Sequence, residues 1–197
     1  MQTNNLVLAS SSIYRKRLLE KLHLNFICAD SGINESSKKN ENPGQLALRL
    51  AEEKARALAS DYPEHLIIAS DQVAMLDQTQ LQKPGNQHNA IEQLQLSSGS
   101  KVTFYTSICI LNSATNEIKI DLDSCTVYFK KLNYQQIKNY IDIEQPYDCA
   151  GSFKSEGLGI ALLERIEGDD PNALIGLPLI KLIGLLDAFN IHVLKKM

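Results

Sequence analysis

Apolar and polar positions fall in blocks along the chain, and the blocks predict both strands and helices. Leu6-Val7-Leu8-Ala9 is a short apolar run that reads as a strand and closes on Ser10-Ser11-Ser12. Helical spacing follows at Leu18, Leu19 and Leu22, with Arg15, Lys16, Arg17, Glu20 and Lys21 on the polar face. One of the serines is a natural N-cap for that helix. Phe26 to Ala29 predicts a second strand, and Ser31 to Pro43 a polar loop. From Pro43 onward Leu46, Leu48, Leu50, Ala51, Ala55 and Leu58 keep helical spacing, and Leu66 to Ala69 predicts a buried strand ending at Ser70-Asp71.

Gln78 to Gly85 reads as a loop and Ala90 to Leu96 as a short helix stopped by Ser97-Ser98-Gly99. Lys101 to Leu111 and Ile118 to Phe129 are strand candidates joined through Asn112 to Asn116 as a hairpin. Tyr134 to Ile141 predicts a helix, Ile160 to Ile166 a strand, and Leu177 to Phe189 a closing helix. Strands alternate with helices until the hairpin interrupts the order. The expectation is an α/β fold with a mixed, twisted central sheet flanked by helices. With no internal repeat and no low-complexity linker, residues 1–197 are expected to form one continuous fold, with two lobes around a cleft.

Composition narrows the function classes. A chain of 197 residues, 44% hydrophobic and 22% charged, is globular in character. Its net charge of −3, with both signs mixed, speaks against a long nucleic-acid groove, so no stable nucleic-acid partner is expected. Cys28, Cys109, Cys125 and Cys149 stand far apart with no CxxC pair, which argues against zinc and redox sites and for reduced, mostly buried thiols. The segment before Arg15 lacks a secretory pattern. The apolar stretch from Ala173 to Leu186 is broken by Gly176, Pro178, Lys181 and Gly184, short of the about 20 apolar residues a membrane span needs. A cytoplasmic protein without a membrane partner is the expectation.

Candidate chemistry concentrates in three segments. Ser10 to Arg15 lies between a strand and a helix N-terminus, whose free N–H groups suit phosphate, and Arg15 adds a planar fork. A capping serine and a solvated arginine fit the same segment equally well. Ser70-Asp71-Gln72 follows a buried strand, the place where ligands collect in α/β sheets. An acid there suits a cation or a water proton, although a turn aspartate is the plain alternative. Lys83, before Pro84-Gly85, adds a cation on a nearby loop. The third segment is Cys149 to Gly157, followed by Glu164 and the acidic run Glu167 to Asn172. There Glu156 suits a base edge and Lys154 a phosphate, and a glycine-containing turn beside a solvated acidic loop remains the alternative. No HExxH, GxSxG or GxxxxGK[ST] pattern occurs.

Taken together, these residues resemble the Maf proteins, nucleoside triphosphate pyrophosphatases. The likeness runs in order through Leu8 to Leu19, Arg49 to Ala55, Ile68 to Val73, Lys83-Pro84, Gly151 to Gly157, Gly168 to Asn172 and Gly176 to Leu179. It implies a Maf/ITPase-like fold. Ser70-Asp71-Gln72 is similar to the branch acting on 7-methyl-GTP, where the dTTP/UTP branch typically carries threonine after the aspartate. Tyr14 stands where that branch usually has a stacking tryptophan, and Asn34 precedes Glu35 where the family usually has an acidic pair.

The resemblance implies that Ser10, Arg15, Lys54 and Lys83 hold the triphosphate, with Lys54 and Lys83 counted among the catalytic groups. Asp71 is the implied general base, and Glu35 its acidic partner at a divalent metal, magnesium or manganese. Tyr14, Gln72 and Glu156 form the implied specificity set, and a homodimer is left open. Three other readings are carried alongside: a dTTP/UTP-type pyrophosphatase of the same family, a phosphatase that would release orthophosphate, and a non-catalytic nucleotide-sensing division regulator.

Overall fold

The structure, a computed structural model, describes residues 5–195. Strands β1 (Leu6–Ala9), β2 (Phe26–Ala29) and β3 (Leu66–Ala69) run parallel, with β1 between the other two. β1 is buried on both faces because helices cover both. Leu6 and Leu8 pack with Leu18, Leu19, Leu182 and Leu186, while Val7 and Ala9 pack with Ala51, Ala55 and Leu58. The first face is covered by α1 (Ile13–Glu20) and α6 (Leu179–Ala188), the second by α2 (Pro43–Ala57). Helix α2 starts where its sequence dictates. Asn42 and Gln45 form a reciprocal capping box, and Pro43 sits in the first turn.

The rest of the sheet is antiparallel around one long strand, β6 (Lys101–Asn112), which forms the expected hairpin with β7 (Ile118–Phe129). Along its other edge β6 pairs first with β3 and then with β4 (Gln72–Leu76). The register does not slip between them: Ala69 faces Cys109 and Gln72 faces Thr106. Ser70 and Asp71 are therefore a two-residue interruption in one continuous edge. The predicted loop at Gln78 to Gly85 is corrected in part, because β5 (Thr79–Leu81) turns back on β4. The turn rests on Asp77, held at a φ of 50°.

Further on, α3 (Gln87–Ser97) and α4 (Tyr134–Glu144) match the predicted helices with longer ends. The predicted strand at Ile160 to Ile166 is shifted. Leu158–Leu162 is a 3₁₀ segment, and β8 (Leu163–Glu167) begins after it as an exposed edge strand on β7. The run Glu167 to Asn172 is not all loop, since Asp170 caps α5 (Pro171–Ile175).

One core gathers Phe104, Val127, Ile137, Ile141, Leu94 and Phe153 around β4, β5, α3 and α4; the others lie around β1 and β3. Between them lies the cleft. Cys109 and Cys125 are buried as expected, with burial pushing their thiols up to about 12 and about 11, whereas Cys28 is exposed and Cys149 half-buried. Among the described residues no helix is long and apolar enough to cross a membrane.

Candidate active site

The carboxyl ends of β1, β2 and β3 all open on one cavity of about 910 Å³. Ser10 to Arg15 follow β1, Asp30 and Ser31 follow β2, and Asp71 follows β3, all of them in its wall. Across the cleft the wall is Leu81, Gln82, Lys83, Phe104, Phe153 and Glu156. Ser10, Tyr14, Arg15, Glu35, Lys54, Asp71, Gln72, Lys83 and Glu156 all line this one cavity, whereas Lys154 does not.

The centre is a lysine between two carboxylates. Lys54, only 6% exposed, places Nζ 2.5 Å from Asp71 Oδ1 and 2.6 Å from Glu35 Oε1. A buried ammonium with one partner removed would be costly, so α2 and the β3–β4 break are locked together here. Backbone bonds fix the break as well: Asp71 N donates to Ser107 Oγ, and Ser107 N donates to Asp71 O. Asp71 Oδ2 has no protein partner among the described residues, yet no buried side-chain oxygen is left unsatisfied. That oxygen therefore opens onto the cavity with its lone pairs free.

The cations around this pair act on it. Partial desolvation pushes the Glu35 carboxyl up, but the Lys54 hydrogen bond and charge, with Lys83 and Arg15, outweigh it and hold the group below its ordinary value. Burial lowers the Arg15 guanidinium against the opposing pull of Asp71 and Glu35, and it remains charged. Arg15 Nε donates to Gly176 O at 2.9 Å, which leaves both Nη groups for a ligand. Ser12, not Ser10, is the N-cap of α1; its hydroxyl accepts from Arg15 N, and Ser10 Oγ accepts from Ser12 N. The N-terminus of α1 faces the cavity.

Tyr14, next to Arg15 in the first turn of α1, stands half-buried in the cavity wall, its hydroxyl donating to Asp148 at 3.3 Å. Burial, then Cys149 and Asp148, raise that phenol above its ordinary value. Lys154 does not line the cavity. Its ammonium lies 5.7 Å from the centre of the Tyr14 ring and 3.5 Å from Glu144, so the expected phosphate contact gives way to packing behind the ring. Gln72 Nε2 donates to Thr106 Oγ1, Ala173 O and Leu174 O. Asn34 Oδ1 accepts from Ser36 N and Oγ, an internal turn that sets the loop carrying Glu35.

The residue sequence reasoning missed is Gly176, whose carbonyl accepts from both Arg15 and Ser70. Its only signal was its place in the Gly176 to Leu179 motif of the family likeness, because a carbonyl carries no residue-type signature. The aromatic wall of Phe104 and Phe153 was not singled out either: Phe104 lies inside a strand candidate, and Phe153 inside the Cys149 to Gly157 segment without a role of its own.

A strand-end aspartate, a lysine, an arginine and a helix N-terminus on one cavity are the constellation outlined by the ordered motifs. The protein-family model described as Maf-like protein matches residues 5–189. The chain belongs to the Maf-like protein family. Among curated relatives of this Maf-like chain, one from Colwellia psychrerythraea is 52% identical over 189 residues, covering 96% of this chain and 94% of that one. One from Pseudoalteromonas translucida is 51% identical over 96% and 94% of the two chains, and one from Alcanivorax borkumensis 51% over 97% of each. All three relatives are named 7-methyl-GTP pyrophosphatase. Among solved structures, the Staphylococcus aureus Ham1 protein covers 94% of this chain and 97% of its own at a TM-score of 0.50 and 14% identity, a likeness of fold.

Proposed function

We propose that this Maf-like chain is a cytoplasmic nucleoside triphosphate pyrophosphatase that hydrolyses 7-methyl-GTP to the monophosphate and pyrophosphate. The observation that carries the chemistry is Asp71, held through Oδ1 by Lys54 while Oδ2 faces a cavity bordered by Arg15 and Lys83. The substrate assignment rests on relatives about half identical over nearly the full length.

In this reading Asp71 Oδ2 takes a proton from water as the water oxygen attacks the α-phosphorus. The bond from that phosphorus to the bridging oxygen breaks, and pyrophosphate leaves with the electron pair. The Arg15 fork, Lys83 and the α1 N-terminus neutralise the triphosphate and the charge growing on the leaving group. Lys54 keeps Asp71 and Glu35 aimed at one point. At the base end Tyr14 offers its ring to 7-methylguanine, whose positive charge adds a cation–π attraction of about 0.5–2 kcal/mol. Phe104 and Phe153 supply apolar wall, and Glu156 an acceptor.

A divalent cation fits the donor set. Among the described residues no group of three or more His, Cys, Asp or Glu side chains gathers, so a site made wholly of protein ligands is not what the fold offers. Two hard carboxylates, Asp71 and Glu35, are what magnesium or manganese uses when substrate phosphates and water complete its shell. When bound, such an ion supplies further neutralisation of phosphate charge.

The test is pyrophosphate release from 7-methyl-GTP, GTP, dTTP and UTP with magnesium or manganese present. The highest kcat/KM is expected for 7-methyl-GTP. A win for dTTP and UTP would move the chain to the other branch of the family. Orthophosphate as the product would replace the pyrophosphatase with a phosphatase, and tight binding without turnover would leave a nucleotide sensor.

A further inference from the structure

Helix α5 meets the cleft with its C-terminal carbonyl groups, and side chains of the site donate to them. Gly176 O accepts from Arg15 Nε at 2.9 Å and Ser70 Oγ at 2.8 Å. Ala173 O accepts from Thr106 Oγ1 and Gln72 Nε2, both at 2.9 Å, and Leu174 O accepts from Gln72 Nε2 at 3.1 Å.

This row of acceptors decides what the site presents. Thr106 spends its one hydrogen on Ala173, so toward Gln72 it only accepts. The amide end facing Thr106, Ala173 and Leu174 must then be the NH₂, and Oε1 is the end turned away, toward the cavity that Gln72 lines. In the same way Arg15 is left with its two Nη groups. Gly176 itself sits at a φ of 120°, and a Cβ there would stand 3.5 Å from Arg15 Nε.

A single buried carboxylate holds α5 in place. Asp170, 1% exposed, accepts through Oδ1 from Asn172 N and Nδ2 and through Oδ2 from Ile180 N, in the first turn of α6. It ties the start of α5 to the start of α6 and does not line the cavity.

We propose that Asp170 is a positioning residue for the nucleotide. By pinning α5 it holds the carbonyl row against Arg15 and Gln72. The guanidinium fork is thereby aimed at the triphosphate, and the Gln72 carbonyl at a hydrogen-donating edge of a purine base, such as N1–H and the 2-amino group of a guanine. The proposal rests on the pyrophosphatase reading for its substrate.

The experiment compares wild type with Asp170→Ala and Asp170→Asn on 7-methyl-GTP and UTP, at a temperature where circular dichroism finds all three folded. Asp170→Ala is expected to lose about tenfold to a hundredfold in kcat/KM for 7-methyl-GTP, with a raised KM. Its preference over UTP is expected to shrink about two- to tenfold. Asp170→Asn keeps one accepting oxygen and should fall between. An unchanged KM and an unchanged preference, with only kcat reduced, would mark Asp170 as merely structural and overturn the proposal. If Asp170→Ala does not fold, Asp170→Asn carries the test, with a raised KM and a reduced preference over UTP expected and an unchanged KM and preference overturning it equally. Wild type that releases no pyrophosphate sinks the enzymatic reading instead. Calorimetric binding of 7-methyl-GTP then tests Asp170, with about tenfold weaker binding in Asp170→Ala expected and equal binding overturning it.

Discussion

Helix α2 carries two ion-pair networks five residues apart, and they are built to opposite ends. Arg49 commits four of its five N–H groups: Nε and Nη2 hold both oxygens of Glu41, Nη1 holds Glu53, and Nη2 also reaches Ser36 O. Lys38 closes the set on Glu53. Lys54 instead takes one oxygen from each of Asp71 and Glu35 and leaves their partners unspent. Both networks tie the loop of residues 31–42 to α2. The first spends most of its hydrogen-bonding capacity on the loop and holds it in place. The second keeps capacity in reserve at a cavity, as a reacting group requires.

The largest effect should come from the unspent oxygen. Asp71→Asn keeps the shape of the side chain and is expected to lower kcat by about 10²–10⁴-fold, the usual contribution of a positioned base, with the fold retained but Tm lowered because the buried Lys54 ammonium keeps only Glu35 as a charged partner. Near-normal turnover would take Asp71 out of that role and erase the contrast with Glu41. Next, Lys54→Met strands the buried Asp71 carboxylate without its partner. A loss of about 3–5 kcal/mol in unfolding free energy is expected, measured by denaturant titration together with loss of activity. Full stability in that variant would mean that Lys54 is no structural clasp.

The smallest effect tests the Arg49 side. The Arg49 hydrogen bond, against opposing desolvation, holds the Glu41 carboxyl down from its ordinary 4.5 to about 2. The unfolded chain therefore binds that proton more readily than the folded one, and the stability it supplies is present above pH 4.5 and is lost as pH falls toward about 2. Glu41→Gln should flatten the acid limb of the stability curve across that window while kcat at neutral pH stays within about twofold, since surface-side ion pairs carry little else. An unchanged acid limb would show that the Arg49 set is solvent-screened and idle.

How much could be read ahead differs between these regions. The helix-to-strand order, the cap at Asn42 and the strand end at Asp71 follow from spacing and residue type, because local periodicity and capping act over a few residues. The β4–β5 hairpin did not show itself, since its stability comes from pairing with β6 about thirty residues on and its turn uses Asp77, a residue equally at home in a loop. Helix α5 carried the Asp-Pro start signal but is only five residues long, too short for any periodicity. Glu35 lies in a polar loop, where nothing but the family likeness distinguishes it from Glu41. The branch-level substrate expectation agrees with the names of the relatives, whereas the roles given to single site residues rest on chemistry and await the variants above.

By itself, the order of apolar and polar residues determined that this chain would build a buried strand at Leu66 to Ala69 and set Ser10 and Asp71 at strand ends. Those outcomes depend on neighbours in the chain. Only the folded arrangement decided that Asp71 keeps one oxygen free, that Arg15 spends Nε on a carbonyl 161 residues away, and that Gln72 turns its acceptor outward. Which lone pair or hydrogen remains available is settled by groups that meet through space, and no pattern along the chain records those meetings.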